Sequence, residues 1–170
     1  MSLDSMKTLF TNELKDVLNA ERQLVQALPK MARAAESQEL QNAFTDHLKE
    51  TEGHVIRLEK IFGLIGETAR GKKCKGMEGL LEEGKEIMEE GGEGSVVDAA
   101  LISAAQRVEH YEIAAYGCLR SYADLLGLDE AVALLDETLA EEEAADEKLS
   151  SLAEGGINES ALSVGQGAKK

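Results

Sequence analysis

The sequence predicts an all-α fold, a four-helix bundle with one long crossover, and three observations lead there. The chain of 170 residues has one Pro, no Trp and 4% aromatic residues. With abundant Ala, Leu, Glu and Lys, it is poor in the β-branched and aromatic runs that strands favour. Four long stretches carry apolar residues at helical spacing. Finally, four glutamates, one on each stretch, reach a common level when the stretches fold as hairpins. Glu21 and Glu50 lie symmetrically about Ala35-Glu36-Ser37, and Glu112 and Glu142 about Gly127. At the rise of an α-helix each pair sits roughly 22 Å from its turn, near the middle of helices roughly 45 Å long.

The first helix is expected from about Leu3 to Ala34, with Leu14, Val17, Leu24 and Leu28 on one stripe. Pro29 falls inside it and should kink it. The second runs from Ser37, an N-cap residue, to Ile65 and carries Leu40, Phe44, Leu58, Ile61 and Phe62. Their connection is short, so the two are antiparallel neighbours. A Gly/Lys-rich linker from Gly66 to Gly76 leads to a short amphipathic fifth helix, about Met77 to Glu90, with Leu80, Leu81, Ile87 and Met88. Gly91-Gly92-Glu93-Gly94 ends it. Together these form a crossover of about 30 residues, long enough to run the length of a bundle, which is the ferritin-like topology and not a simple up-down-up-down one. The third long helix spans Ser95 to Leu126, Gly127 breaks the chain, and the fourth spans Leu128 to Ala153. A bundle domain is therefore expected over 1–153. Residues 154–170, with four glycines and little apolar content, read as a flexible tail.

The formal net charge of -15 argues against nucleic acid and anionic lipid surfaces as partners. Cys74 and Cys118 form no CxxC and are too sparse for a disulfide framework, which suggests a reducing compartment. Cys74 is flanked by Lys72, Lys73 and Lys75, which would favour its thiolate, and it reads as a surface thiol. The N-terminus lacks an apolar core followed by a cleavage site, and no uncharged stretch is long enough to span a bilayer. The expected location is the cytoplasm. Gly66-Glu67-Thr68-Ala69-Arg70-Gly71-Lys72-Lys73 imitates a phosphate loop, but Lys73 replaces the hydroxyl residue and a helix, not a strand, precedes it.

The glutamates face inward. Glu21 lies within the arc of Leu14, Val17, Leu24 and Leu28, and Glu112 within that of Leu101, Ala105, Val108, Ala115 and Leu119. Glu142 lies among Leu135, Thr138, Leu139 and Leu149, with Asp146 one turn on. His47, Glu50 and His54 group beside Phe44, Thr51 and Leu58, and Glu109 is one turn from Glu112 and level with Asp146. A single such carboxylate is ordinary at a stripe edge. Several converging at one level cost several kcal/mol each unless protonated or neutralised. Arg22, Lys49, Arg57 and Arg107 all lie toward outer faces, so a cation is the cheaper solution. His110 projects opposite Glu112 and is not counted as a ligand.

The segments His47-Leu48-Lys49-Glu50-Thr51, Glu109-His110-Tyr111-Glu112-Ile113-Ala114 and Leu139-Ala140-Glu141-Glu142-Glu143-Ala144-Ala145-Asp146 resemble the YciE/YciF family of bacterial ferritin-like proteins. The resemblance runs from about Leu9 to Leu152. It implies a dimeric ferritin-like bundle with a two-metal carboxylate site, connected with bacterial stress responses and without an established reaction. The implied site positions are Glu21, His47, Glu50, Glu109, Glu112, Glu142 and Asp146, the residues that the helical faces had already brought together. The usual di-iron pattern of two Glu-x-x-His motifs is absent: the second helix offers His-x-x-Glu and the fourth Glu-x-x-x-Asp. His54, one turn below Glu50, can add a nitrogen ligand.

The expectation is thus a cytoplasmic protein binding two iron or manganese ions, metals suited to oxygen-rich ligation better than zinc. Glu50 and Glu112 would bridge the ions, Glu21 and Glu142 would be terminal, and His47, Glu109 and Asp146 would complete or orient the shell. Iron oxidation or peroxide removal would follow. A metal-free dimeric scaffold acting through a protein partner in stress is the alternative, and a storage cage a third. A homodimer is expected because apolar residues on the crossover helix and at the margins of the last two long helices lack obvious partners.

Overall fold

The computed structural model describes residues 3–164, and all its regular elements are helical. They are α1 (Met6–Ala34), α2 (Gln38–Leu64), α3 (Lys75–Glu90), α4 (Gly94–Leu125) and α5 (Asp129–Leu152), then a π turn (Ala153–Ile157) and α6 (Asn158–Val164). α1 and α2 form one antiparallel hairpin and α4 and α5 another. α3, the crossover helix, packs on α1 and α4.

Local chemistry sets the ends of these helices. Ser5 and Ser37 accept hydrogen bonds from the backbone N–H groups of Thr8 and Leu40, giving α1 and α2 side-chain N-caps. α2 and α4 stop the same way. Gly66 (φ 69°) and Gly127 (φ 67°) adopt the left-handed conformation. Around them Glu67 N–H reaches Phe62 O and Gly66 N–H reaches Gly63 O, just as Leu128 N–H reaches Ala123 O and Gly127 N–H reaches Asp124 O. This paired pattern satisfies the last carbonyls of a helix and requires a residue tolerant of positive φ. Pro29 lies inside α1 without ending it.

The N-terminus of α4 is tied to the first hairpin by one buried carboxylate. Asp98 Oδ1 accepts from Glu36 N–H and Oδ2 from Ser37 N–H, each at 2.8 Å. The linker before α3 lies along α1: Lys72 N–H reaches Lys15 O, and Cys74 N–H reaches the Asn19 side chain.

Three expectations change here. Cys74 is not a surface thiol: it is 1% exposed, caps α3 through Sγ and lies 3.0 Å from the Tyr111 hydroxyl. Burial, with Asp16 nearby, pushes its pKa up, so the neighbouring lysines do not set its state. Second, the apolar side of α3 is covered. Met77 is fully buried, and Leu80, Leu81, Ile87 and Met88 pack partly buried against the core, so the crossover helix is a weaker reason for a dimer than its sequence suggests. Third, the chain after Ala153 does not run on as an irregular tail. It kinks at Gly156 (φ 145°) and continues into α6, which packs against α4. The rest of the expected tail, 165–170, lies outside the described residues.

The core is divided. One apolar cluster holds Leu24, Leu28, Phe44, Leu101, Val108 and Leu149, the other Phe10, Leu14, Val17, Leu58, Tyr116 and Leu135. Between them, at mid-bundle, each long helix contributes polar side chains.

Candidate metal centre

That polar layer is built from Glu21 on α1, His47, Thr51 and His54 on α2, Glu109 and Glu112 on α4, and Glu142 on α5, all buried. The spacing follows from the helix period: His47 and His54 are seven residues apart, almost two turns, and Glu109 and Glu112 nearly one. Thr51 satisfies itself by donating to His47 O. The remainder form two groups in which ligand atoms lie within 4.8 Å of one another: His47, Glu109, Glu112 and Glu142, and Glu21, His54 and Glu142. Glu142 belongs to both.

Within the first group His47 Nε2 lies 3.4 Å from Glu109 Oε2 and 3.6 Å from Glu142 Oε2. In the second, His54 Nδ1 lies 3.0 Å from Glu142 Oε1 and 3.4 Å from Glu21 Oε1. These are ion-pair distances without the direction of a hydrogen bond. Among the described residues, the buried side-chain atoms lacking a hydrogen-bond partner are Glu21 Oε2, His47 Nε2, His54 Nδ1, Glu109 Oε2 and both oxygens of Glu112 and of Glu142. Every one belongs to these two groups. Buried polar atoms are normally paired, so a concentration of unpaired carboxylate and imidazole atoms at one level is what a cation-binding centre presents.

Electrostatics agrees. Burial, reinforced by Glu142 at Glu109 and by Glu21 and Glu142 at Glu112, pushes both carboxyls well above the ordinary range. Burial also raises Glu21, against the opposing pull of His54. For His54 burial works downward, yet contact with Glu142 and Glu21 reverses it and raises the imidazole from 6.5 to about 10. Glu142 is the counterpart. Burial opposes its ionisation, but His54 and the field of His47 outweigh it and hold the carboxyl below its usual range. Without a metal, the arrangement favours the proton on His54 and the ionised form of Glu142, and disfavours ionisation of Glu109 and Glu112.

Glu50 and Asp146 are not in the cluster. The Glu50 side chain is 44% exposed and its Oε2 lies 3.1 Å from His47 Nδ1, behind the nitrogen that faces the group. The reason is angular: Phe44, Thr51 and Leu58 define the buried axis of α2, and Glu50 stands roughly 100° from it at 100° per residue, whereas His47 and His54 stand about 40° and 60° away. Asp146 faces Gln106 and the exposed His110 instead, at 3.4 and 3.5 Å. The residue common to both groups is Glu142, not Glu50.

Three further residues complete the surroundings. The Tyr116 hydroxyl donates to Glu21 Oε1. Glu141 Oε2 lies 2.9 Å from His54 Nε2, and Arg57 grips both Glu141 oxygens. Arg57, expected on an outer face, has a side chain only 17% exposed. Tyr116 was findable, being one turn after Glu112 on the same stripe. Glu141 was hidden inside the run Glu141-Glu142-Glu143, where period alone cannot say which acid turns inward.

The fold and this layer define a ferritin-like helical bundle, and no helix among the described residues is long and apolar enough to cross a membrane. Residues 5–162 match the family described as Domain of unknown function (DUF892). Protein YciF of Escherichia coli (strain K12) is 44% identical over 162 residues, 95% of this chain and 98% of that protein. The crystal structure of that E. coli stress protein superposes with a TM-score of 0.88, covering 91% of this chain and 98% of the other. YcfI from Rhodopseudomonas palustris is 39% identical, with a TM-score of 0.86 over 88% and 96%. A Xanthomonas campestris protein at 20% identity and a TM-score of 0.76 shares the fold, covering 95% and 99%. The chain belongs to the YciE/YciF family.

Proposed function

We propose that this chain is a cytoplasmic metal-binding protein of the bacterial stress response that holds two iron or manganese ions side by side in the bundle core. His47, Glu109 and Glu112 would hold one ion, Glu21 and His54 the other, and Glu142 would be shared. The observation that carries this reading is the set of unpaired buried atoms, all of which fall in these two groups. The donors are mostly carboxylate oxygens, with one imidazole for each ion, a set suited to ferrous or manganous ions. Glu141 would orient His54 from behind, the usual device for fixing a ligating imidazole. Bound ferrous ions would supply electrons for reducing oxygen or peroxide. The chain's own residues bury the centre, hold the imidazoles in place and store the protons that leave when a cation binds.

Elemental analysis and anaerobic thermal melts test this. Two ions per chain, and a rise in melting temperature on adding ferrous or manganous salt, are expected. A chain that binds neither would instead be a metal-free scaffold acting through a protein partner. In the same reading the chain is a homodimer, resting now on exposed Ile56, Leu64 and Leu125 and not on the crossover helix. Light scattering should give twice the 18.3 kDa chain mass.

A further inference from the structure

We propose that the seam between α2 and α5 is the route by which divalent cations reach the buried centre, with Glu50 as the carboxylate that receives them from water. This rests on the metal-binding reading. A cavity of about 190 Å³ opens in that seam, lined by His47, Glu50 and Glu109 and, on the two helix walls, by Ala43, Ala144 and Ala145. At the volume of liquid water it holds on the order of six waters, about one ion's first hydration shell. Two of its lining residues carry unpaired buried atoms, His47 Nε2 and Glu109 Oε2, both belonging to the first ligand group.

Two other approaches are covered. α3 packs across α1 and α4. Below the cavity, the same α2–α5 seam is closed by Arg57 bridging to Glu137 and Glu141, and His54 behind that bridge is 0% exposed. Where the cavity lies, Ala43, Ala144 and Ala145 are too short to fill the gap between the helices, and Phe44, Asp46, Lys148 and Leu149 make up the rest of the lining. Glu50 is the intermediate step. Its carboxylate is 44% exposed yet 3.1 Å from His47 Nδ1, so it can exchange an ion's waters one at a time before His47 Nε2 and Glu109 take over. The group sharing Glu142 then fills from the first, which makes the two positions unequal in exchange rate.

The test is stopped-flow uptake of cobaltous ion by the full, metal-free chain, read by ligand-field absorbance. Ala144 is exposed at the cavity rim, so Ala144→Phe should fold normally and cover the mouth. It should slow uptake about tenfold or more, equivalent to about 1.4 kcal/mol of added barrier, with the same final stoichiometry. Ala114→Phe, on an exposed face of α4, should take up metal at the parent rate. Ala43→Leu plugs the opposite wall and should repeat the slowing if Ala144→Phe proves unstable. Parent-like rates in both plugged variants, with normal uptake by the parent, would overturn the route alone. No uptake by the parent would overturn the metal-binding reading and the route with it.

Discussion

Glu141 and Glu142, consecutive on α5, reach opposite ring nitrogens of the same imidazole: His54 Nε2 lies 2.9 Å from Glu141 Oε2 and Nδ1 lies 3.0 Å from Glu142 Oε1. Neighbours on a helix diverge by about 100°, so they can do this only by straddling the ring. The two are not equivalent. Burial opposes the ionisation of Glu141, but Arg57 and His54 hold it below the ordinary carboxyl range, and it faces the solvent side. Glu142 is fully buried and faces the centre. One histidine is therefore oriented from the surface and aimed at the interior.

Glu141→Gln should weaken metal binding by about 10- to 100-fold, the usual consequence of losing the partner that orients a ligating imidazole. Glutamine keeps one acceptor for His54 but sets an amide N–H group against Arg57, so the orienting pair cannot be reproduced. Competition with a chromophoric chelator reads the affinity directly. Unchanged affinity would mean that packing against Tyr116, 6.2 Å away ring to ring, is enough to hold His54.

The stability that metal adds should grow with pH over the same range in which the metal-free protein loses stability. Glu109 and Glu112 have folded-state pKa values well above 4.5. Their stabilising preference for the protonated form is complete below about 4.5, the unfolded value, and is lost as pH rises toward the folded values. The His54 contribution has the same sign: it is present below 6.5 and lost as pH rises through about 10. Glu142 and Glu141, whose pKa values are lowered, are ionised in both states well above pH 4.5 and add little slope over most of the range. Metal-free protein should therefore lose melting temperature as pH rises from 5 to 9. Cation binding requires the deprotonated forms, so the gain from metal should grow over the same range. Differential scanning calorimetry of both forms checks the pair of slopes.

The bundle, its long crossover and the level of the site were all legible in the sequence, because helical period and turn symmetry are arithmetic. Glu21, Glu112 and Glu142 sit in the interior where counting put them. Counting fixed their level along the axis. It could not fix which carboxylate stands between the two groups, because that depends on how each helix is rotated about its own axis. A rotation of a few tens of degrees in α2 exchanges Glu50 for His54 at the centre. Cys74 shows another limit. Its flanking lysines suggest exposure, but the linker lies along α1 through the Asn19 side chain and buries the thiol. No local pattern encodes that tertiary choice.

Asp98→Ala should destabilise the fold without touching the centre. Its two oxygens accept the backbone N–H groups of Glu36 and Ser37, far from the ligand groups. Losing two charge-assisted bonds in a site 2% exposed should cost about 3 kcal/mol, or roughly 10 °C in a chain of this size. Metal stoichiometry should remain that of the parent. A loss of less than about 1 kcal/mol would show that water replaces the carboxylate.

Glu112→Gln separates a ligand from a structural acid by sign. Both Glu112 oxygens are buried without a hydrogen-bond partner, and burial with three neighbouring acids raises its pKa. A neutral amide of the same shape removes the cost, at neutral pH, of protonating that carboxyl on folding. The metal-free variant should therefore be as stable as the parent or more so. The parent gains stability with the logarithm of metal concentration over its dissociation constant, about 2.7 kcal/mol at a hundredfold excess, and the variant should lose most of that gain. Thermal melts with and without anaerobic ferrous iron measure both quantities on the same samples. If the parent ignores iron and Glu112→Gln melts lower, Glu112 is a protonated structural group, and the scaffold reading takes the place of the metal centre.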